Sequence, residues 1–179
     1  MKHLSMYVSL LMVGGILFSC TEEEITKYLG HVKNDQEMHY VTTLDGESEA
    51  PEPVHTAASG QLTLEVSDDG QEISFTLTVA SLDNYLAGHL HVGADGEAGP
   101  VVAWLFPIKP YPFTDAVDDP LLPGTTNGVL AKGVITADNL TGPLAGMELS
   151  ALLSELEDGN VYVNLHTSQF PAGEIRGDF

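Results

Sequence analysis

Between residues 60 and 79, apolar and polar side chains alternate one by one along two runs separated by a single turn. Leu62, Leu64 and Val66 alternate with Gln61, Thr63 and Glu65. Past Asp68-Asp69-Gly70, Ile73, Phe75, Leu77 and Val79 alternate with Ser74, Thr76 and Thr78. A period of two sends successive side chains to opposite faces of an extended strand, so each run buries one face and wets the other. The Asp-Gly step between them favours a tight antiparallel hairpin. Runs of the same kind recur near 39–44, 86–92, 100–106, 129–136, 160–166 and 173–178. About eight short strands with frequent turn signals predict an all-β fold, an antiparallel β-sandwich or barrel.

Two stretches depart from that pattern. Leu149, Leu152, Leu153 and Leu156 fall at i, i+3, i+4 and i+7, the spacing of one helical face, with Gly159 placed just past the end. The spacing predicts one short helix near residues 145–157, its leucines packed on an end or edge of the sandwich. The second stretch, 107–127, carries Pro107, Pro110, Pro112, Pro120 and Pro123 with Asp115, Asp118 and Asp119. Proline fixes φ and removes a ladder donor, so the reading there is a long irregular loop. Trp104, Phe106, Tyr111 and Phe113 cluster at its start. They serve either as a lid on the sandwich edge or as an aromatic binding loop, with Trp104, Tyr111 and Phe113 its contact residues.

The first residues read as an export signal rather than as fold. Lys2 and His3 precede an apolar run, Met6–Phe18, that ends at Ser19-Cys20, and such a run is too short to span a bilayer as a mature helix. The segment resembles a lipoprotein signal with its lipobox, which implies cleavage after residue 19 and acylation of Cys20, the one cysteine of the chain. Residues 20–37 are polar and weakly periodic, a lipidated tether ahead of a single domain over 38–179. Thr21-Glu-Glu-Glu24 resembles the export signal of surface lipoproteins. The expected partner is therefore a membrane, held through Cys20, and the expected location is the cell envelope, as an outer-membrane lipoprotein open to surface display. With 26 acidic residues against 6 basic ones and a formal charge of −20, the chain repels phosphate backbones, which excludes nucleic acid. A lone cysteine leaves no intrachain disulfide, so the fold rests on its core.

Histidine carries the chemistry on offer. His89 and His91 stand two apart on an expected strand, so both side chains leave one face, opposite Leu90 and Val92. In the later strand Tyr162, Asn164 and His166 alternate with Val161, Val163 and Leu165. Neighbouring or facing strands would let the three imidazoles converge, and neutral imidazole suits copper and zinc. His55 is a fourth candidate by polarity alone. The alternative role for these histidines is structural, bonded to loop backbone. Asp95 and Glu97 sit among glycines but lack the ligand spacing of a calcium loop. Glu174 and Arg176 share a face of the last strand. A structural role fits both, with Arg176 locking that strand by an ion pair or a backbone hydrogen bond. No nucleophile elbow and no phosphate or dinucleotide loop is present, so no catalytic residue is assigned.

Several segments together make the chain resemble the chordin-type (CHRD) domain family: Gly88-His-Leu-His-Val-Gly, Val161 through His166 to Gly-Glu-Ile-Arg-Gly177, Thr43-Leu-Asp-Gly-Glu, and the hairpin 60–81. The resemblance spans roughly 38–179. It implies a β-sandwich and, since animal chordins use such domains in extracellular proteins that bind signalling ligands, a non-enzymatic binding module for an extracellular protein or glycan. The His-x-His pair with a distant third histidine is also similar to the copper half of Cu/Zn superoxide dismutase sandwiches, although the bridging histidine and aspartate of that family have no counterpart placed here. That likeness implies the alternative function, a copper- or zinc-binding protein or a redox enzyme.

Overall fold

The computed structural model describes residues 38–107 and 121–179. The expected signal, Cys20 and the tether lie outside these residues, as do Tyr111 and Phe113. Among the described residues seven strands form: β1 His39–Leu44, β2 Ser59–Val66, β3 Ile73–Val92, β4 Val101–Phe106, β5 Leu122–Ile135, β6 Val161–Thr167 and β7 Ile175–Asp178. A helix, α1 (Leu149–Glu157), follows two 3-10 turns at Ala137–Asn139 and Gly142–Leu144. The fold is the expected antiparallel one.

Strand β3 organises it. Its first part, Ile73–Ala80, lies between β2 and β5. Its last part lies between β4 and β6, with Gly88 opposite Phe106 on one side and Leu165 on the other. The separate strands expected at 73–79 and 86–92 are thus one continuous strand, which makes seven strands rather than eight. The turn between its halves comes from Ser81 and Asn84, whose φ angles are +55° and +51°, beside register shifts against β5. Asn127 Oδ1 accepts from the Ser81 N–H, and Asn84 Oδ1 from the Gly124 N–H, both at 2.9 Å. These bonds tie the corner to β5.

The other end of the sheet nearly closes on itself. Strand β7 pairs with β6, and its Arg176 exchanges backbone hydrogen bonds with Asp45, just past β1, at 3.0 and 2.9 Å. Thr42 Oγ1 adds a bond to the Asp178 carbonyl at 2.7 Å. The approach is close enough that a Cβ on Gly177 would stand 2.5 Å from the Thr43 carbonyl oxygen. The ring β1-β2-β3-β6-β7 is a nearly closed barrel whose interior holds Leu62, Leu64, Leu77, Leu90, Val163, Leu165 and Ile175, all fully buried.

The helix packs Leu149, Leu152, Leu153 and Leu156 into that core, each leucine contributing about 1.5–3 kcal/mol by burial. It starts at Leu149 rather than near 145 because Gly146, at φ +75°, breaks the backbone before it. It stops at Gly159, whose φ of +71° is the left-handed conformation a helix end favours. A second correction concerns the proline-rich stretch. Residues 122–127, expected as loop, are strand, because Pro123 and Gly124 sit on β5, which among the described residues pairs with β3 alone. An edge position tolerates the missing donor.

Candidate metal centre

Strand pairing places the histidines. In the register of β3 and β6, Asn164 stands opposite His89, Tyr162 opposite His91 and His166 opposite Ala87. Alternation then sends His89, His91, Tyr162, Asn164 and His166 to one face, away from Leu90, Val163 and Leu165. That face is not a wet polar surface. His89 and His91 are 7% and 8% exposed, since the indole of Trp104 meets the His89 ring edge-on at 4.2 Å and Tyr162 covers His91. Trp104 therefore belongs to β4 and walls the histidines, while Tyr111 and Phe113 of the expected aromatic loop lie outside the described residues.

The three imidazoles converge. Ring centroids lie 5.5 Å apart for His89 and His91 and 4.9 Å for His89 and His166. One ring nitrogen from each falls within 4.8 Å of the others. A tetrahedral ion with bonds near 2 Å keeps its ligands about 3.4 Å apart, so small side-chain rotations inward by about an ångström would close the set.

Their hydrogen bonds sort the nitrogens by role. His91 donates from Nδ1 to the Gly99 carbonyl at 2.9 Å, and His166 from Nδ1 to the Pro171 carbonyl at 3.1 Å. Each donation fixes the tautomer and leaves Nε2 with a free lone pair. Seven buried side-chain polar atoms lack a hydrogen-bond partner among the described residues. Five of them are gathered here: His89 Nδ1 and Nε2, His91 Nε2, His166 Nε2 and Asn164 Oδ1; the Asn164 amide lies near enough to His89 and His91 to interact with both, but no hydrogen bond of good geometry joins it to either ring. Buried polar atoms without partners are costly and demand an explanation.

Electrostatics keeps the rings neutral. Burial, with His166 and His91 alongside, lowers the His89 pKa from 6.5 to about 3. Burial brings His166 down to about 4, against the opposing bond to Pro171, and pushes His91 down as well. At neutral pH all three present lone pairs, the form a metal requires.

The remaining candidates lie elsewhere. His55 is 92% exposed at its side chain, with Glu47 at 3.8 Å, and the fold does not bring it to the histidines. Glu174 accepts from Thr56 Oγ1 and Thr167 Oγ1, each at 2.6 Å. Arg176, 1% exposed, pairs with Asp178 and donates to the Glu97 and Ala94 carbonyls. Sharing a face has not paired Glu174 with Arg176. Glu49 escaped the sequence reading. It is 8% exposed, its Oε1 has no partner, and burial raises its pKa to about 7 against the pull of Arg176. No motif marked it, because its carboxyl packs against distant Gly173, its oxygens 2.7 and 2.8 Å from where a Cβ on that glycine would stand.

Residues 40–179 match the CHRD domain, almost the whole of the barrel. The chain belongs to the CHRD domain family. No curated protein and no solved structure matches it significantly.

Proposed function

We propose that this CHRD domain is a non-enzymatic binding module whose ligand is a transition-metal ion, copper or zinc, held by His89, His91 and His166. The observation that carries this reading is the gathering of partnerless buried atoms at one place. Two of the three rings turn Nε2 inward while Nδ1 donates to a backbone carbonyl, the outer-shell arrangement that orients metal-ligating histidines. A purely structural histidine cluster would spend these nitrogens on hydrogen bonds. Bound there, the ion would supply a Lewis-acidic centre, redox-active in the case of copper, among donors that are all neutral.

Trp104 offers a direct test, because it is the only tryptophan in the chain and lies against His89. Cu(II) added to the purified protein at neutral pH should quench its fluorescence with a stoichiometry near one, and Cu(II) or Zn(II) should raise the melting temperature. His89→Ala, His91→Ala and His166→Ala should each weaken both effects strongly. A wild-type protein that neither quenches nor gains stability with either ion refutes the metal reading.

We further propose that the protein is an envelope lipoprotein anchored through acylated Cys20 and presenting the barrel beyond a short tether. This rests on the apolar run that ends at the sole cysteine. Each acyl methylene buried contributes about 0.8 kcal/mol, so multiple chains anchor stably. Cys20→Ala should move the protein out of the membrane fraction or leave it unprocessed. Unchanged fractionation with normal maturation rules the anchor out.

A further inference from the structure

The loop from Gly93 to Pro100 crosses the rim beside the histidines. Its side chains from Ala94 to Ala98 are all exposed, so hydrophobic burial does not hold it. Backbone bonds close its ends, from the Val92 N–H to the Pro100 carbonyl at 3.2 Å and from the Gly93 N–H to the Asn160 carbonyl at 2.9 Å, and polar contacts from β6 and β7 hold its middle. Arg176 donates from Nη1 to the Glu97 carbonyl at 2.8 Å and from Nη2 to the Ala94 carbonyl at 3.4 Å, while Asp178 occupies its Nε and its Nη2. The guanidinium carbon lies 3.6 Å above the centre of the Tyr162 ring. The same ring stacks on His91 with centroids 4.7 Å apart and an interplanar angle of 12°.

Gly99 joins these contacts to the histidine. Its N–H donates to the Tyr162 hydroxyl at 2.9 Å, and its carbonyl accepts from His91 Nδ1 at 2.9 Å. One residue, through the two peptide groups that flank it, thus connects Tyr162 and His91, at a position where a Cβ would stand 1.8 Å from the Val92 carbonyl oxygen. A histidine presents whichever nitrogen its other hydrogen bond leaves free. Without the Gly99 carbonyl held in place, His91 Nδ1 loses the acceptor that fixes its tautomer, and only the stacked Tyr162 ring and the nearby Asn164 amide are left to orient the imidazole.

We propose that Tyr162 and Arg176 are positioning residues of the histidine centre. They fix the Gly93–Pro100 loop and, through Gly99, hold His91 in the tautomer and orientation that present Nε2. The inference rests on the metal reading for its consequence, though not for the geometry. It gives the buried arginine a job beyond locking the last strand, because its guanidinium reaches residues 79 and 82 positions away in sequence.

The test uses Tyr162→Phe, which keeps the ring and removes only the hydroxyl, together with Arg176→Lys. Both are made in the full chain and screened for a wild-type near-ultraviolet circular dichroism spectrum. Nitrogen-15 NMR of the imidazoles without metal should show His91 protonated at Nδ1 alone in the wild type and as a mixture of tautomers in Tyr162→Phe. Cu(II) titration read through Trp104 should show weakened affinity in each folded variant, by up to about 10-fold, the lower end of the cost of losing an outer-shell partner outright, because the Gly99 carbonyl is loosened and not removed. Should Arg176→Lys fail to fold, Tyr162→Phe decides alone. A folded Tyr162→Phe with the wild-type His91 tautomer and unchanged copper affinity overturns the proposal. A wild type that binds no copper refutes the metal reading instead, and the tautomer measurement still decides the positioning.

Discussion

At the scale of single residues, sequence periodicity assigned faces well and surroundings poorly. His89 and His91 share a face because a strand repeats every two residues, and His166 joins Asn164 and Tyr162 by the same rule. That much needs no structure. Burial of the face does need one, because it is made by Trp104 from β4 and Tyr162 from β6, neither adjacent in sequence to His89. Local alternation treats polar residues as wet, so it misses a strand covered on both sides. His55 failed as a candidate for the opposite reason: polarity alone says nothing about where a loop residue ends up. The buried Glu49 was invisible for a related cause, since its carboxyl lies against Gly173 and within the influence of Arg176 and Asp178, all far from it in sequence.

At the scale of elements, the strands and the helix were legible where hydrophobic period and length agreed. Leu64, Phe75, Leu77, Val163 and Leu165, the interior positions that alternation implies, are all buried. The joining of two expected strands into β3 was not legible, because its corner uses Ser81 and Asn84 in left-handed conformations rather than a glycine or proline. The start of β5 was misread for the converse reason, as Pro123 and Gly124 resemble loop chemistry but sit on an edge. Phe75 measures how tightly these two strands are joined. Its ring fills the space that a side chain on Gly133 would take, with an ideal Cβ there only 2.7 Å from the ring, and Gly133 is its partner in the β3–β5 register. Phe75→Ala should therefore empty a site that neither strand can collapse to fill, costing about 3–5 kcal/mol. Urea denaturation gives the number directly, and a loss under about 1 kcal/mol would mean that β5 does not pack on that ring.

At the scale of the whole molecule, the buried titratable groups make stability depend on pH in a direction that can be worked out. Unfolded histidine titrates near 6.5, whereas folded His166 and His89 resist protonation down to about 4 and about 3, and His91 is shifted the same way. Below 6.5 the unfolded chain therefore binds protons that the folded chain refuses, and stability falls as the pH falls. Glu49 works against this. Its folded pKa of about 7 exceeds the ordinary 4.5, so the folded chain holds the extra proton between those values and its contribution is lost as pH rises through 7. Three histidines outweigh one glutamate, so among these four groups the net effect of acidification is loss. The surface carboxylates also titrate toward acid pH, so a comparison isolates the histidines better than a single curve does. With a chelator present, unfolding free energies from pH 7 to pH 4.5 should decline less steeply in His89→Gln than in the wild type. The difference should approach one proton, about 1.4 kcal/mol per pH unit, in the lower half of that range. Added zinc should steepen the wild-type decline, because protons then compete with the ion for the same lone pairs. Identical slopes in the two proteins would show that His89 is not held neutral by burial, and the fit of a cation to this face would lose its electrostatic basis.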